Sequence, residues 1–442
     1  MNFPKNFLGR TPRSMRESLF ADLARMELVD LAALRLESAQ LAVEVHRASP
    51  DEKGALLLEQ AILLAEIARR TGEAVVLARA AHSAERATRC AHDARHKIRA
   101  SYQLAAIGAL TGELYGDPLA TEAAEQRLSQ LEIHADLSDE DRAMILGLKG
   151  RLEARRALAE SDLNRAVTAA GFYDDAVIAA DACVRTGRLG RTNAAALRLD
   201  RADLLVAFGG QLKDDQLLLQ AKADMAALAA GLDKDRLPIS WMRAETLGGA
   251  ALVHLGDLSG DALQIQAGVE KLSAASQHLP EGHSPLDVAG ADRALGLALA
   301  SLGDVSDNDH SFDVAISVLE NASHAYEAAP QVVERGLLAY DRAATILRRA
   351  ERVGDLANLA NAELLFREEL AVLDARRDET SWAVLQFALG RVYRARHLAA
   401  PSPDLKAHAL MALTEALDIF AAKGFRSLAD AALGGVEELR AL

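Results

Sequence analysis

The chain has 442 residues, and a single compact core stops growing at roughly 250 to 300, so it must hold several domains or an elongated repeat. Aromatics make up only 4% and Ala, Leu, Glu, Arg and Asp dominate, a helix-forming mixture poor in the runs that strands favour, so the chain reads as all-α. A formal charge of -14 argues against nucleic acid as a partner, and without an apolar run of about 20 residues no membrane span is expected.

Residues 1–15 form a basic stretch, read as a flexible N-terminus; it lacks the apolar centre of a signal peptide. Residues 16–190 read as degenerate helical hairpins behind an N-terminal capping helix, an amphipathic stretch over 13–47. The segment 51–92 is one hairpin turning at Gly72. The segment 97–133 is a second, turning at Gly116-Asp117-Pro118. Residues 139–187 supply a third, with Phe172 and Tyr173 opening its second helix. Cys90 and Cys183 lie far apart within helical patterns, as buried thiols of a reducing compartment do, so the cytoplasm is the expected location.

From residue 191 the chain repeats. Ser240-Trp241 returns as Ser381-Trp382, 141 residues or three steps of 47 later. Steps of 47 from Gly249 reach Gly296, Ala343 and Gly390, and a second small-residue column runs Ala221, Gly268, Ala315, Ala362, Ala409. Four residues after each member of the second column come Met225, Leu272, Leu319, Phe366 and Leu413. Seven after come Leu228, Ala275, Ala322, Glu369 and Ala416. A small side chain where two helices cross, with a large one a turn later to fill the space beside it, is a packing rule for a helical hairpin. Gly209-Gly210, Gly256-Asp257 and Gly303-Asp304, with the displaced Gly354-Asp355, are expected to end the first helix of successive units. Five units follow from this, at 191–237, 238–284, 285–331, 332–378 and 379–425. Residues 426–442 form a C-terminal capping helix.

Trp241, Leu247 to Gly249, Gly268-x3-Leu272-x2-Ala275 and Pro280 follow the order of the tetratricopeptide (TPR) motif, as do Trp382, Leu389-Gly390 and Ala409-x3-Leu413-x2-Ala416. The chain thus resembles the TPR family in a 47-residue variant, with the extra length expected in the first helix and the inter-helix loop. The resemblance implies an α-solenoid of stacked antiparallel hairpins, a superhelix whose first helices line a concave groove for a partner protein. Carried over unit by unit, the groove positions are Arg243, His254, Arg293, Tyr340, Asp341, Arg348, Phe387, Arg391 and Arg394. Five arginines in that set suit an acidic peptide segment through guanidinium–carboxylate contacts; the alternative is that they pair with carboxylates of neighbouring helices. The expected function is therefore a non-enzymatic protein-interaction scaffold or adaptor. The alternatives are a ligand- or peptide-gated regulator whose superhelix changes shape on binding, or an accessory subunit of an enzyme complex. A second copy of the chain could also cover the amphipathic face at 13–47 or the final helix.

Other chemistry finds little support. His92 and His96 stand one turn apart in the pattern of a helix, but Cys90 points elsewhere, and the remaining metal ligands are missing. Residues 304–310 are rich in carboxylates yet lack the Gly and Glu of a calcium loop and read as a solvated turn. No phosphate loop, serine elbow or paired Cys-x2-Cys occurs, so no cofactor and no metal is expected. Arg69-Arg70 and Arg348-Arg349 read as charges at helix C-termini.

Overall fold

The computed structural model of the protein describes residues 24–133, 137–160, 162–185, 190–373, 379–423 and 426–441. Among these residues the regular elements are helices and no strand occurs. In chain order they are α1 (Ala24–Glu27), α2 (Leu31–Arg47), α3 (Pro50–Thr71), α4 (Ala74–Cys90), α5 (Ala94–Tyr115), α6 (Pro118–Glu132), α7 (Asp139–Glu160), α8 (Leu163–Arg185), α9 (Arg191–Leu212) and α10 (Asp215–Gly231). They continue as α11 (Pro238–Ser259), α12 (Ala262–Ser276), α13 (Pro285–Ser306), α14 (Asp309–Ser323), α15 (Val333–Val353), α16 (Leu356–Val372), α17 (Glu379–Ala399), α18 (Pro403–Lys423) and α19 (Arg426–Ala441). From α3 to α18 they alternate as first and second helices of antiparallel hairpins, an α-solenoid. Two compact units divide the chain: Met1–Ala298 with Ala325–Val333, and Leu299–His324 with Glu334–Leu442. No described helix is long and apolar enough to cross a membrane.

The ends of these helices are written in the sequence. Proline opens α3, α6, α11, α13 and α18, where its missing N–H costs nothing and its fixed φ suits a first turn. In the hairpins α9–α10, α11–α12, α13–α14 and α15–α16 the turn is two residues long, a left-handed residue followed by an N-cap. Lys213, Gly260, Asp307 and Gly354 have φ between 55 and 68°, and they recur at intervals of 47. Asp214, Asp261, Asn308 and Asp355 follow them, each accepting a backbone hydrogen bond from the next helix, as that of Leu263 to Asp261 at 2.9 Å.

This turn corrects the sequence reading. Gly209, Gly256 and Gly303 do not end their helices; α9, α11 and α13 run three residues further, and the glycines lie inside them. Each carbonyl receives the N–H of the N-cap that follows the turn, at 2.9 Å for Asp261 to Gly256. Their lack of a side chain serves packing, since a β-carbon on Gly256 would lie 2.5 Å from Ile265 and one on Gly303 would lie 2.8 Å from Phe312. Only Gly354 of that set is the left-handed cap. The extra length of the unit sits in first helices of 21 or 22 residues and in the connections between hairpins, such as residues 277–284, not in the turn within a hairpin.

Two further expectations are revised. The helix expected over 13–47 is interrupted at Leu28–Asp30 and restarts at Leu31, where the Asp30 carboxylate accepts from the Ala33 N–H at 2.7 Å; its part before residue 24, like the basic stretch 1–15, lies outside the described residues. Phe172 and Tyr173 lie in the middle of α8, which begins at Leu163.

In each unit the core follows the repeat columns. Ala221, Met225 and Leu272 of the first unit are fully buried, as are Ala315, Leu319, Ala362, Phe366, Ala409 and Leu413 of the second. Fully burying one such Leu, Phe or Met contributes about 1.5 to 3 kcal/mol relative to exposure. Glu369, the odd member of its column, stays at the edge and pairs with Arg335 at 2.9 Å.

Candidate functional site

Within the first unit the first helices face one another: α3 packs on α5, α5 on α7, α7 on α9 and α9 on α11, whereas the second helices make no comparable contacts among themselves. Helices that crowd together line the inner side of a curved stack. A cleft of about 390 Å³ opens on that side, with Glu59, Arg99, Tyr102, Met144 and Asn193 in its wall.

Ionisable residues of both signs cross this inner face. Glu113 of α5 receives both Arg151 and Arg155 of α7, one carboxylate between two guanidinium groups. Burial raises its pKa, but the two arginines win and hold the carboxyl at about 2. Asp200 of α9 is worse served: Arg243 of α11 stands 4.0 Å away, and burial outweighs the pull of Arg151 and Arg243, so its pKa rises. Burial pushes the Tyr102 hydroxyl up to about 12, with Arg151 pulling it down and Asp200 pushing it further up. Tyr173 reaches the same group from α8, its ring lying across Gly150, where a β-carbon would meet it at 3.0 Å. Farther along the face, Arg69 of α3 grips Asp287 of α13 at 2.9 and 3.0 Å. These side chains remain open to solvent in part, 15% for Glu113, 44% for Arg155 and 20% for Asp200. A charged layer that water reaches, but that lies in a concave wall, can exchange its internal partners for those of a ligand.

The residues expected from sequence to line the groove fall in both units. In the first, Arg243 joins the inner layer beside Asp200. His254 lies on the same helix with its ring packed over Gly210, and burial lowers its pKa. Arg293 is half-buried on α13. In the second unit, Arg348 pairs with Asp304 and lies 5.7 Å over the Phe312 ring. Arg391 pairs with Glu351 at 2.6 Å and Arg394 with Glu438 at 2.9 Å. Tyr340 packs on Phe366 with ring centroids 5.8 Å apart; its pKa rises through burial and the nearby Asp341 and falls through Arg391, so the structure brings these three together. Phe387 sets its edge against Phe420 in the apolar core.

Sequence reasoning passed over Glu113, Arg151, Arg155 and Asp200. A signal was present in Arg151 and Arg155, like charges one helical turn apart, which repel unless an anion stands between them. Arg70 lies in the last turn of α3, as expected of a helix C-terminal charge, but it is wholly buried, which the sequence reading did not foresee. The imidazoles of 92 and 96 do not share a helix, since α4 ends at Cys90. His92 bonds to the Pro50 carbonyl at 3.1 Å and His96 to Asp93. Among the described residues no cluster of His, Cys, Asp and Glu could hold a metal ion. The carboxylates of 304–310 are taken up by arginines of α15, Asp304 by Arg348 and Asp307 and Asp309 by Arg352.

No protein-family model matches the chain, and no curated protein matches it in sequence. Among solved structures the chain is similar to a Rap protein complexed with competence and sporulation factor, at 11% identity over 88% of this chain and 98% of that one, with a TM-score of 0.51. The apo form of RapI aligns at 12% identity over 92% and 97% of the two chains, with a TM-score of 0.41. Aspartyl phosphate phosphatase F from Bacillus subtilis aligns at 11% over 87% and 94%, with a TM-score of 0.38. At such identity the likeness to the first is one of fold, a helical-repeat solenoid.

Proposed function

We propose that the chain is a non-enzymatic binding scaffold of TPR-like hairpins, and that the inner face of its first unit takes an extended segment of another protein bearing a carboxylate. One observation carries this reading: Glu113 is shared between Arg151 and Arg155 on a concave, water-reachable wall. A ligand carboxylate can take the outer guanidinium of Arg155 while Arg151 keeps Glu113, a charge-assisted exchange that leaves no buried ion unpaired. Arg243, His254 and Arg293 extend the proposed contact surface in this unit. Tyr340, Asp341, Arg348, Phe387, Arg391 and Arg394 are the corresponding proposal for the second unit. The Rap protein of similar fold was crystallised with the competence and sporulation factor, a precedent in architecture that lends no residue correspondence.

The test is an array of synthetic peptides, acidic and basic, probed with the whole chain and with two charge reversals. Acidic peptides should bind, and Arg155→Glu should abolish that binding while Arg89→Glu, an exposed position on the second helix α4, leaves it intact. Equal binding by the wild type and Arg155→Glu would overturn the proposal.

A further inference from the structure

In a simple solenoid each repeat touches only its neighbours. The first unit breaks that rule, because its N-terminal hairpin meets residues more than 200 positions away. The Glu27 carboxylate accepts the backbone N–H of Ser240 at 2.9 Å and the Ser240 hydroxyl at 2.5 Å. Ser240 lies in the first turn of α11, so the carboxylate satisfies a helix N–H that has no partner within its own helix. His283 Nε2 reaches the Glu27 carbonyl at 2.7 Å. Arg70 donates to the carbonyls of Met26 at 2.7 Å and Val29 at 2.9 Å, and to Glu66 at 2.6 Å. Beside it, Gln331 donates to the Gly72 carbonyl at 3.3 Å, and a β-carbon on Gly72 would lie 2.6 Å from Val332.

The chemistry of this closure is unlike that of a core. Glu27, Arg70 and His283 are 8%, 0% and 4% exposed, and apolar residues of similar size would commonly hold such a contact at least as well. What ionised groups add is the ability to let go. The strap itself is short: residues 26–30 are held through the carbonyls of Met26, Glu27 and Val29, the Glu27 carboxylate and the buried Met26 side chain.

We propose that residues 26–30 are a releasable strap that latches the first unit closed on the start of α11 and the 277–284 connection, whatever the inner face binds. When the strap leaves, Arg70 and the first-turn N–H groups of α11 come into water together, and Ser240 and His283 lose Glu27, while Arg69 keeps Asp287 and Gly72 keeps Gln331. Protonation of His283 favours that release. Burial raises the pKa of Glu27, against Ser240 and Arg69, with Glu66 pushing the same way as burial. Burial and the facing Arg70 lower the pKa of His283, against the pull of the Glu27 carbonyl, Asp30 and Asp287. Protonating His283 places a second cation beside Arg70 and is harder in the latched state, so it drives release; Glu27, whose pKa is raised on latching, binds a proton more readily there and opposes release.

Hydrogen exchange followed by mass spectrometry on the full chain tests the latch. Glu27→Gln and the milder Ser240→Ala should speed exchange about tenfold in peptides covering 26–30, 238–243 and 283–288, with a peptide from the middle of α9 unchanged. Lowering the pH through the ordinary histidine value of 6.5 should do the same to the wild type, after correction for intrinsic exchange. Unaltered exchange in both variants would show that the contact carries no closure. Equal acceleration everywhere, including α9, would show a plain structural core. Either result overturns the strap.

Discussion

The carbonyl oxygen of Gly249 lies 2.8 Å from the point a β-carbon on Gly268 would occupy, so α11 and α12 cross with their backbones nearly touching. Alanine is the better helix former by about 1 kcal/mol, yet here the obstruction is main chain that cannot swing away. Gly268→Ala should therefore lower stability by roughly 1 to 3 kcal/mol. Gly290, helical and with nothing within 4 Å of its β-position, supplies the opposite case. Gly290→Ala should raise stability by about 0.5 to 1 kcal/mol. Denaturant melts of the two variants decide it, and a shared sign would refute the crossing argument.

The N-cap column makes a second expectation. Asp261 accepts from Leu263 and Gln264 at 2.9 and 3.3 Å, and Asp355 does the same for α16. Replacing either by Ala should cost about 1 kcal/mol, and Asn should restore most of it. Calorimetry on the Ala and Asn pairs measures this directly.

Glu113 ties stability to pH. Its carboxyl titrates at about 2 in the folded chain, against an ordinary 4.5. Because the folded value is depressed, the stabilisation is complete above the ordinary value and fades as pH falls from there toward 2. A difference of that size corresponds to at most roughly 3 kcal/mol. Glu113→Gln should be less stable than wild type at pH 7, and the gap should narrow as the pH approaches 3; a gap that stays constant would mean the ion pairs contribute nothing.

Asp200 should behave in the reverse sense. Burial makes its charged form costly, so the neutral Asp200→Asn should melt higher than wild type at pH 7 while losing affinity for any peptide cation beside Arg243. Thermal melts at pH 7 and pH 4 check the stability half: the advantage of Asn should shrink at the lower pH as Asp200 itself becomes protonated.

The repeat was legible because close packing leaves a periodic mark. Met225, Leu272, Leu319, Phe366 and Leu413 recur at steps of 47, and each is fully buried. The hairpin turn was misplaced for the same reason, since Gly256 carries a packing signal that resembles a cap, while the true cap column mixes Lys213, Gly260, Asp307 and Gly354 and shows no single residue type. The inner charged layer was harder to find. Glu113, Arg151 and Asp200 come from hairpins whose lengths differ, so no constant step joins them, and a helix face presents its ions identically to water and to a concave wall. The partner of Arg70 was beyond reach, because nothing local in the sequence ties it to Met26 and Val29.

The bond between Glu27 and Ser240 also sets an order in time. A ribosome adding roughly 5 to 20 residues per second delivers Glu27 some 10 to 40 s before Ser240, and His283 later still. Through that interval the carbonyls of Met26 and Val29 can reach Arg70, but the Glu27 carboxylate has no helix to cap. The nascent chain thus emerges with its N-terminal segment unclaimed, and a factor that engages this segment during synthesis would meet it in a form the finished protein conceals.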